Sequence, residues 1–261
     1  MKFHKKSLGQ NFLIDLNVIK KIINIISLEG KNILEIGPGK GALTNEILKK
    51  KPKSVILVEK DYALAKNLKD KFKHDRNIKI YNQDILKFDL ESKLKDNSIV
   101  FGNLPYNISS QILIKTIKFK SWPPKYEALI FMFQKELAEK IIGKYKTINY
   151  GRLSIITNYR LNVFNKFIIS PNCFFPKPKI KSMILGFKPK KNINYKIKNI
   201  DSLEKITRIL FSNKRKMINK SIKKIFKKNK KIPIINLNLK LRPENLKKEI
   251  IYEITEKFEQ S

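Results

Sequence analysis

Asn32-Ile33-Leu34-Glu35-Ile36-Gly37-Pro38-Gly39-Lys40-Gly41, residues 32–41, decides the fold. Five residues with a buried-strand pattern run into three glycines spaced GxGxG, and a helix-like run over 42–50 follows. Glycines let a backbone turn tightly and approach a ligand closely. The spacing is not the GxGxxG that seats a pyrophosphate at a helix N-terminus. A bare strand-to-helix turn is the plain alternative. Outward from this stretch the pattern repeats. Asp15 is a candidate N-cap for a helix over 15–28, whose apolar residues Leu16, Ile19, Ile22, Ile23 and Ile26 recur at helical spacing. Strands are expected at 54–58, 77–81, 99–101 and 126–133, with helices over 61–73 and 134–142. Strands alternating with helices predict an α/β fold with a parallel sheet wound on both faces. Two more strand-like runs, 160–169 and 180–188, flank a Pro-rich segment and read as an antiparallel addition to the sheet edge.

Ligands of open parallel sheets bind outside the carboxyl ends of the strands. Glu59 ends the strand after the glycine turn, where a carboxylate can accept hydrogen bonds from ribose hydroxyls. Asp84 ends the next one, where it can accept from an adenine amino group. Taken singly, each reads as an exposed charge at a strand end. A glycine turn, a ribose acid and an adenine acid in that order describe a nucleoside site without a phosphate clamp. S-adenosylmethionine (SAM), with adenine, ribose and an amino acid but no phosphate, is such a ligand. The fourth strand ends in Gly102-Asn103-Leu104-Pro105-Tyr106. The Asn103 side-chain oxygen and a carbonyl near Leu104-Pro105 can accept both hydrogens of an exocyclic amine, and Tyr106 can stack on the base that carries it. Such contacts orient reactants and need no strong base. An ordinary turn with a core tyrosine is the alternative.

Gly102-Asn103-Leu104-Pro105-Tyr106 resembles the (N/D)PPY-type motif of amino-methyltransferases. Together with Gly9-Gln10-Asn11-Phe12-Leu13, Glu35-Ile36-Gly37-Pro38-Gly39 and Phe175-Pro176-Lys177-Pro178-Lys179-Ile180-Lys181-Ser182, it makes the chain resemble the rRNA adenine dimethyltransferases from about residue 7 to the end. The KsgA-type branch, which modifies two adjacent adenosines in a hairpin loop near the 3′ end of 16S rRNA, is favoured over the erythromycin-resistance branch. The GNLPY form, Phe211-Ser212-Asn213-Lys214-Arg215-Lys216 and Leu241-Arg242-Pro243-Glu244-Asn245-Leu246 favour it. Lys214 departs from the family's paired arginines; it keeps the charge and loses the planar fork.

The resemblance implies a Rossmann-like SAM-dependent methyltransferase sheet with a small C-terminal helical domain. It implies roles by position: Asn11 and Leu13 close over SAM, Gly37 and Gly39 back its amino-acid part, Glu59 holds the ribose and Asp84 the adenine. Asn103 and Tyr106 act on the target, Asn103 also belonging to the cofactor-binding set, and Phe174 or Phe175 stacks on the target's other face or belongs to the core. The expected domains are a SAM-binding methyltransferase domain, residues 1–188, and a basic helical rRNA-binding domain, residues 189–261. The expected partner is 16S rRNA in small-subunit ribosomal particles. A large-subunit rRNA methyltransferase, a non-catalytic assembly factor and a DNA adenine methyltransferase are the alternatives; a dehydrogenase lacks the pyrophosphate spacing.

Bulk properties narrow the class. The chain of 261 residues has one cysteine, Cys173, so an internal disulfide is excluded and a reducing, cytoplasmic setting is expected. His4 and His74 have no metal-ligand spacing, so no metal is expected. No apolar run approaches a membrane span, the start does not read as a signal peptide, and nothing demands more than a monomer. The net charge is +35, from 57 Lys+Arg against 22 Asp+Glu. Part of the lysine excess matches a general Lys/Ile/Asn bias of composition. Residues 186–261 carry 22 basic and 7 acidic residues, against 35 and 15 in residues 1–185. The denser charge of the tail points to a polyanion-facing element, a nucleic acid first.

Overall fold

A computed structural model describes residues 11–226 and 237–261. His4, Gly9, Gln10 and part of the expected basic helical domain, residues 227–236, lie outside the described residues. The chain divides into two compact units. One joins the part up to Ala138 to Asn162–Pro189, and the other joins Glu139–Leu161 to Lys190–Ser261. The junction before Lys190 lies next to the sequence boundary at 188/189. The segment 139–161, assigned to the first domain from sequence, clusters with the second unit.

In the first unit the elements are β1 (Phe12–Leu13), α1 (Leu16–Ile23), β2 (Asn32–Ile36), α2 (Ala42–Leu48), β3 (Ser54–Glu59), α3 (Tyr62–Lys71) and β4 (Ile78–Asn82). They continue with α4 (Leu90–Lys93), β5 (Ser98–Asn103), α5 (Ser109–Ile117), β6 (Tyr126–Gln134) and the start of α6 (Lys135–Ile141). After an excursion into the second unit come β7 (Leu161–Ile169), β8 (Phe174–Phe175) and β9 (Ser182–Pro189). Seven strands form one sheet in the order β4-β3-β2-β5-β6-β9-β7, and β1 pairs with β8 apart from it. The first five are parallel; β9 runs antiparallel to β6, the edge addition the sequence predicts.

Both faces of the sheet are covered. Ile33, Leu57, Phe101 and Ile130 pack into one core with Ile19, Ile22 and Ile47. Their alternating neighbours Leu34, Val58, Val100 and Leu129 are buried as well, which is why the strands read as continuous apolar runs. Asp15 caps α1, accepting from the Val18 N–H at 2.9 Å. The strand order reverses direction between β2 and β5, and a crevice opens there at the carboxyl ends.

The second unit holds α7 (Arg152–Arg160), α8 (Ile200–Phe211), α9 (Asn219–Ile225) and α10 (Lys248–Gln260). Its core is aliphatic, with Ile155, Leu203, Ile206, Ile222, Ile251 and Ile254 buried. Tyrosines join it: the Tyr159 and Tyr195 rings lie 5.2 and 5.3 Å from Tyr252, whose hydroxyl donates to the Ile155 carbonyl at 2.9 Å. These contacts explain why 139–161 belongs here. Glu259 accepts from the Lys198 and Asn199 N–H groups at 2.7 and 3.0 Å, fastening the incoming chain to α10. Lys214, Arg215, Lys216, Lys220, Lys223 and Lys224 are exposed.

Candidate active site

The ends of β2, β3, β4 and β5 and the β1–β8 pair border one pocket of about 400 Å³. Asn11, Leu13, Gly37, Gly39, Glu59, Asp84, Asn103 and Tyr106 all line it, so these eight residues singled out from sequence come to one place.

The turn after β2 depends on glycine. Gly37, Gly39 and Gly41 have φ of +65°, +59° and +77°, a region L side chains rarely adopt. At Gly39 a Cβ would stand 2.9 Å from the Phe12 ring, so the missing side chain is what lets that ring seat against the turn. Glu59 fastens the turn. Its Oε2 accepts from the Gly39 N–H at 3.0 Å and its Oε1 from the Asp61 N–H at 2.8 Å. Burial pushes its pKa above the usual carboxylate range, and the backbone donors oppose that shift. Asp84 sits differently. Its carboxylate pairs with Lys60 Nζ at 2.8 Å and accepts from the Leu86 N–H at 2.9 Å, and the Lys60 contact lowers its pKa most.

Glu35 was not assigned a role from sequence. It is buried beneath the turn, lines the same pocket and accepts from Thr44 Oγ1 at 2.6 Å. Burial raises its pKa to about 7; the Thr44 hydrogen bond opposes this and the Glu59 charge adds to it.

The turn after β5 is built with side chains. Asn103 Nδ2 donates to the Asn11 carbonyl at 2.9 Å, which fixes the orientation of the amide and leaves Oδ1 as its acceptor. The Pro105 carbonyl accepts from the Ile108 N–H at 3.1 Å. Tyr106 Oη lies 2.7 Å from Ser182 Oγ, and burial keeps its phenol pKa above the usual value. The two phenylalanines separate. Phe174 is buried in the core, whereas Phe175 is 63 % exposed and lines the pocket. The β1–β8 ladder sets this, pairing Phe12 with Phe175 and Leu13 with Phe174. Cys173 is buried among core residues, and burial, followed by nearby Asp15, pushes its thiol up, away from the thiolate form. Among the described residues there is no cluster of three or more His, Cys, Asp or Glu able to hold a metal. No helix among them is long and apolar enough to cross a membrane.

A mostly parallel α/β sheet with a glycine turn after its first long strand and its pocket at the carboxyl ends has the architecture of a Rossmann-like methyltransferase. The chain matches the family described as ribosomal RNA adenine dimethylase over residues 1–260. It is 48% identical over 257 residues to the ribosomal RNA small subunit methyltransferase A of Pelagibacter ubique (strain HTCC1062), covering 98% of this chain and 97% of the relative. It is 38% identical over 237 residues to the protein of the same name from Mycoplasmopsis synoviae (strain 53), covering 90% and 88%. Among solved structures, a dimethyladenosine transferase from Plasmodium falciparum superposes with a TM-score of 0.76 at 25% identity over 95% of this chain and 98% of that one. The 23S rRNA methyltransferase ErmE shares the fold, with a TM-score of 0.69 at 22% identity over 96% of this chain and 100% of that one. The chain belongs to the ribosomal RNA adenine dimethylase family, and its enzyme class is rRNA adenine dimethyltransferase.

Proposed function

We propose that the pocket binds SAM and that the enzyme dimethylates N6 of two adjacent adenosines in a 3′-terminal hairpin loop of 16S rRNA, within small-subunit particles during ribosome biogenesis. The pocket's chemistry fits the cofactor. Three carboxylates (Glu35, Glu59 and Asp84), a left-handed glycine turn and only two lysines, one of them paired with Asp84, suit a nucleoside joined to an amino acid rather than a phosphate. Asn11 and Leu13 close over it, Gly37 and Gly39 back its amino-acid part, Glu59 takes the ribose and Asp84 the adenine amine. Bound SAM supplies an electrophilic methyl group.

The observation that carries the reading is the Asn103 amide, turned by its 2.9 Å bond to Asn11 so that its oxygen is the acceptor half. That oxygen accepts one hydrogen of the target amine. We assign the second acceptor to the Leu104 carbonyl, because the Pro105 carbonyl already serves Ile108. Two acceptors hold the nitrogen in a more tetrahedral geometry and stabilise charge as it develops. The Tyr106 face and the exposed Phe175 ring stack on the flipped base, each contact worth ~1–3 kcal/mol. Unstacking a loop adenine costs a few kcal/mol, less than in a duplex. The lysines of the second unit neutralise rRNA phosphates, positioning the substrate without reading its sequence. The 48% identity to a small subunit methyltransferase A over nearly the whole chain supports the small-subunit branch.

Replacing Asn103 by Ala tests the mechanism. Single-turnover transfer is expected to fall roughly 10²- to 10³-fold, as for other lost preorganised contacts, with SAM and RNA dissociation constants within a few-fold of wild type. Transfer within tenfold of wild type would remove Asn103 from the catalytic role.

A further inference from the structure

Tyr106 is held at both ends by serines. Ser109 Oγ donates to its carbonyl at 3.1 Å, and its hydroxyl meets Ser182 Oγ at 2.7 Å. The two anchors differ in kind. Ser109 opens the helix that follows the turn, whereas Ser182 comes from a distant strand. Ser182 has no exposed surface and is the first residue of β9, registered opposite Gln134 at the end of β6. The adjoining Lys135 N–H to Lys181 carbonyl bond of 3.0 Å closes that end of the ladder. Its hydroxyl is therefore fixed in the sheet, while Tyr106 rides on a turn.

We propose that Ser182 is a positioning residue for methyl transfer, tethering the Tyr106 ring through its hydroxyl, and that the tether matters most for the second methyl group. The inference rests on the reading of Tyr106 as the stacking platform for the target base. A tyrosine anchored only at its Cα retains rotation about two side-chain bonds. A bond from its hydroxyl to a fixed partner removes most of that freedom, so the ring face is set before the base arrives. The unmodified amine has two N–H groups for the Asn103 and Leu104 acceptors. The monomethylated amine has one. Orientation by hydrogen bonding is then weaker, and a larger share falls on the stacked ring. The hydroxyl itself stays a phenol and serves as tether, with no proton transfer assigned to it.

The test is a double-mutant cycle of Ser182→Ala and Tyr106→Phe. It reads the single-turnover rates of the first and second transfers, the ratio of monomethyl- to dimethyladenosine, and the SAM dissociation constant. Each single change deletes the same neutral hydrogen bond and should slow the first transfer roughly two- to tenfold. The second transfer should slow further, so monomethyladenosine accumulates. The double variant should be no slower than the worse single one, because both changes break one contact. SAM affinity should stay within twofold, and Ser182→Thr, which keeps a hydroxyl, should restore the product ratio. Additive losses in the cycle, or an unchanged product ratio in both single variants, would overturn the tether. Tyr106→Leu separates this from the underlying reading. Wild-type rates in that variant would sink the stacking platform itself, whereas its inactivity alongside an additive cycle would sink the tether alone.

Discussion

After β2 the chain turns on three glycines at positive φ, and a carboxylate from β3 holds the backbone N–H of the middle one. After β5 it turns on Asn-Leu-Pro-Tyr, and side chains of the turn make the ties: Asn103 to the Asn11 backbone carbonyl, Tyr106 to the Ser182 hydroxyl. Both turns face the same pocket. The first is shaped by what is missing, a set of Cβ atoms, and the second by amide and hydroxyl groups that are present. Damage to the first should register in stability and cofactor affinity. Damage to the second should register in rate with affinity kept.

The carboxylates under the first turn give the largest stability effect. Burial raises the Glu35 pKa in the folded chain to about 7 from an ordinary 4.5. Between those values the folded chain keeps a proton that the unfolded chain has released, so stability falls as pH rises through the window. At 1.36 kcal/mol per unit the group contributes roughly 3 kcal/mol below the window that is lost above it. Glu59, also raised, acts in the same sense. Glu35→Gln should flatten the dependence of urea midpoints on pH between about 5 and 7. An unchanged slope would mean that Glu35 stays ionised in the fold.

A smaller effect separates two glycines of one turn. A Cβ at Gly39 meets the Phe12 ring at 2.9 Å, whereas one at Gly37 has only the Asn103 carbonyl at 3.8 Å. Both changes carry the left-handed backbone cost of ~1–2 kcal/mol, and only Gly39→Ala also displaces Phe12. Gly39→Ala should therefore lose more melting temperature and more SAM affinity than Gly37→Ala. Equal losses in the two would show that the Phe12 contact is unimportant.

The smallest effect belongs to the second unit. Lys214 is exposed, with its ammonium 5.8 Å from the Phe211 ring centroid. Lys214→Arg restores a planar fork and should tighten rRNA binding less than roughly fivefold, with the gain shrinking as salt rises. A change in SAM affinity in the same variant would break the division of labour between the units.

The parts of the site legible in the sequence are those that local chemistry dictates. Gly37, Gly39, Glu59, Asp84 and Asn103 each sit at the end of a strand or within three residues after it. Asp15 is followed by apolar residues at helical spacing. What was not legible depends on pairing across long stretches of chain. Phe174 and Phe175 are told apart only by the ladder with Phe12 and Leu13, some 160 residues away. Ser182 acquires meaning only beside Tyr106, which is 76 positions earlier. The Lys60–Asp84 pair joins two strand ends in the same way. Helix α7 escaped because Ser154, Ile155, Ile156, Thr157, Tyr159 and Arg160 are all buried, so no amphipathic stripe marks it.

The most direct measurement is transfer of label from methyl-labelled SAM to unmethylated small-subunit particles, with free large-subunit rRNA in parallel, followed by nucleoside analysis. The account predicts N6,N6-dimethyladenosine at two adjacent positions of the small-subunit RNA and none in the large-subunit RNA. Label confined to the large-subunit RNA, or SAM binding without transfer to either, would contradict it.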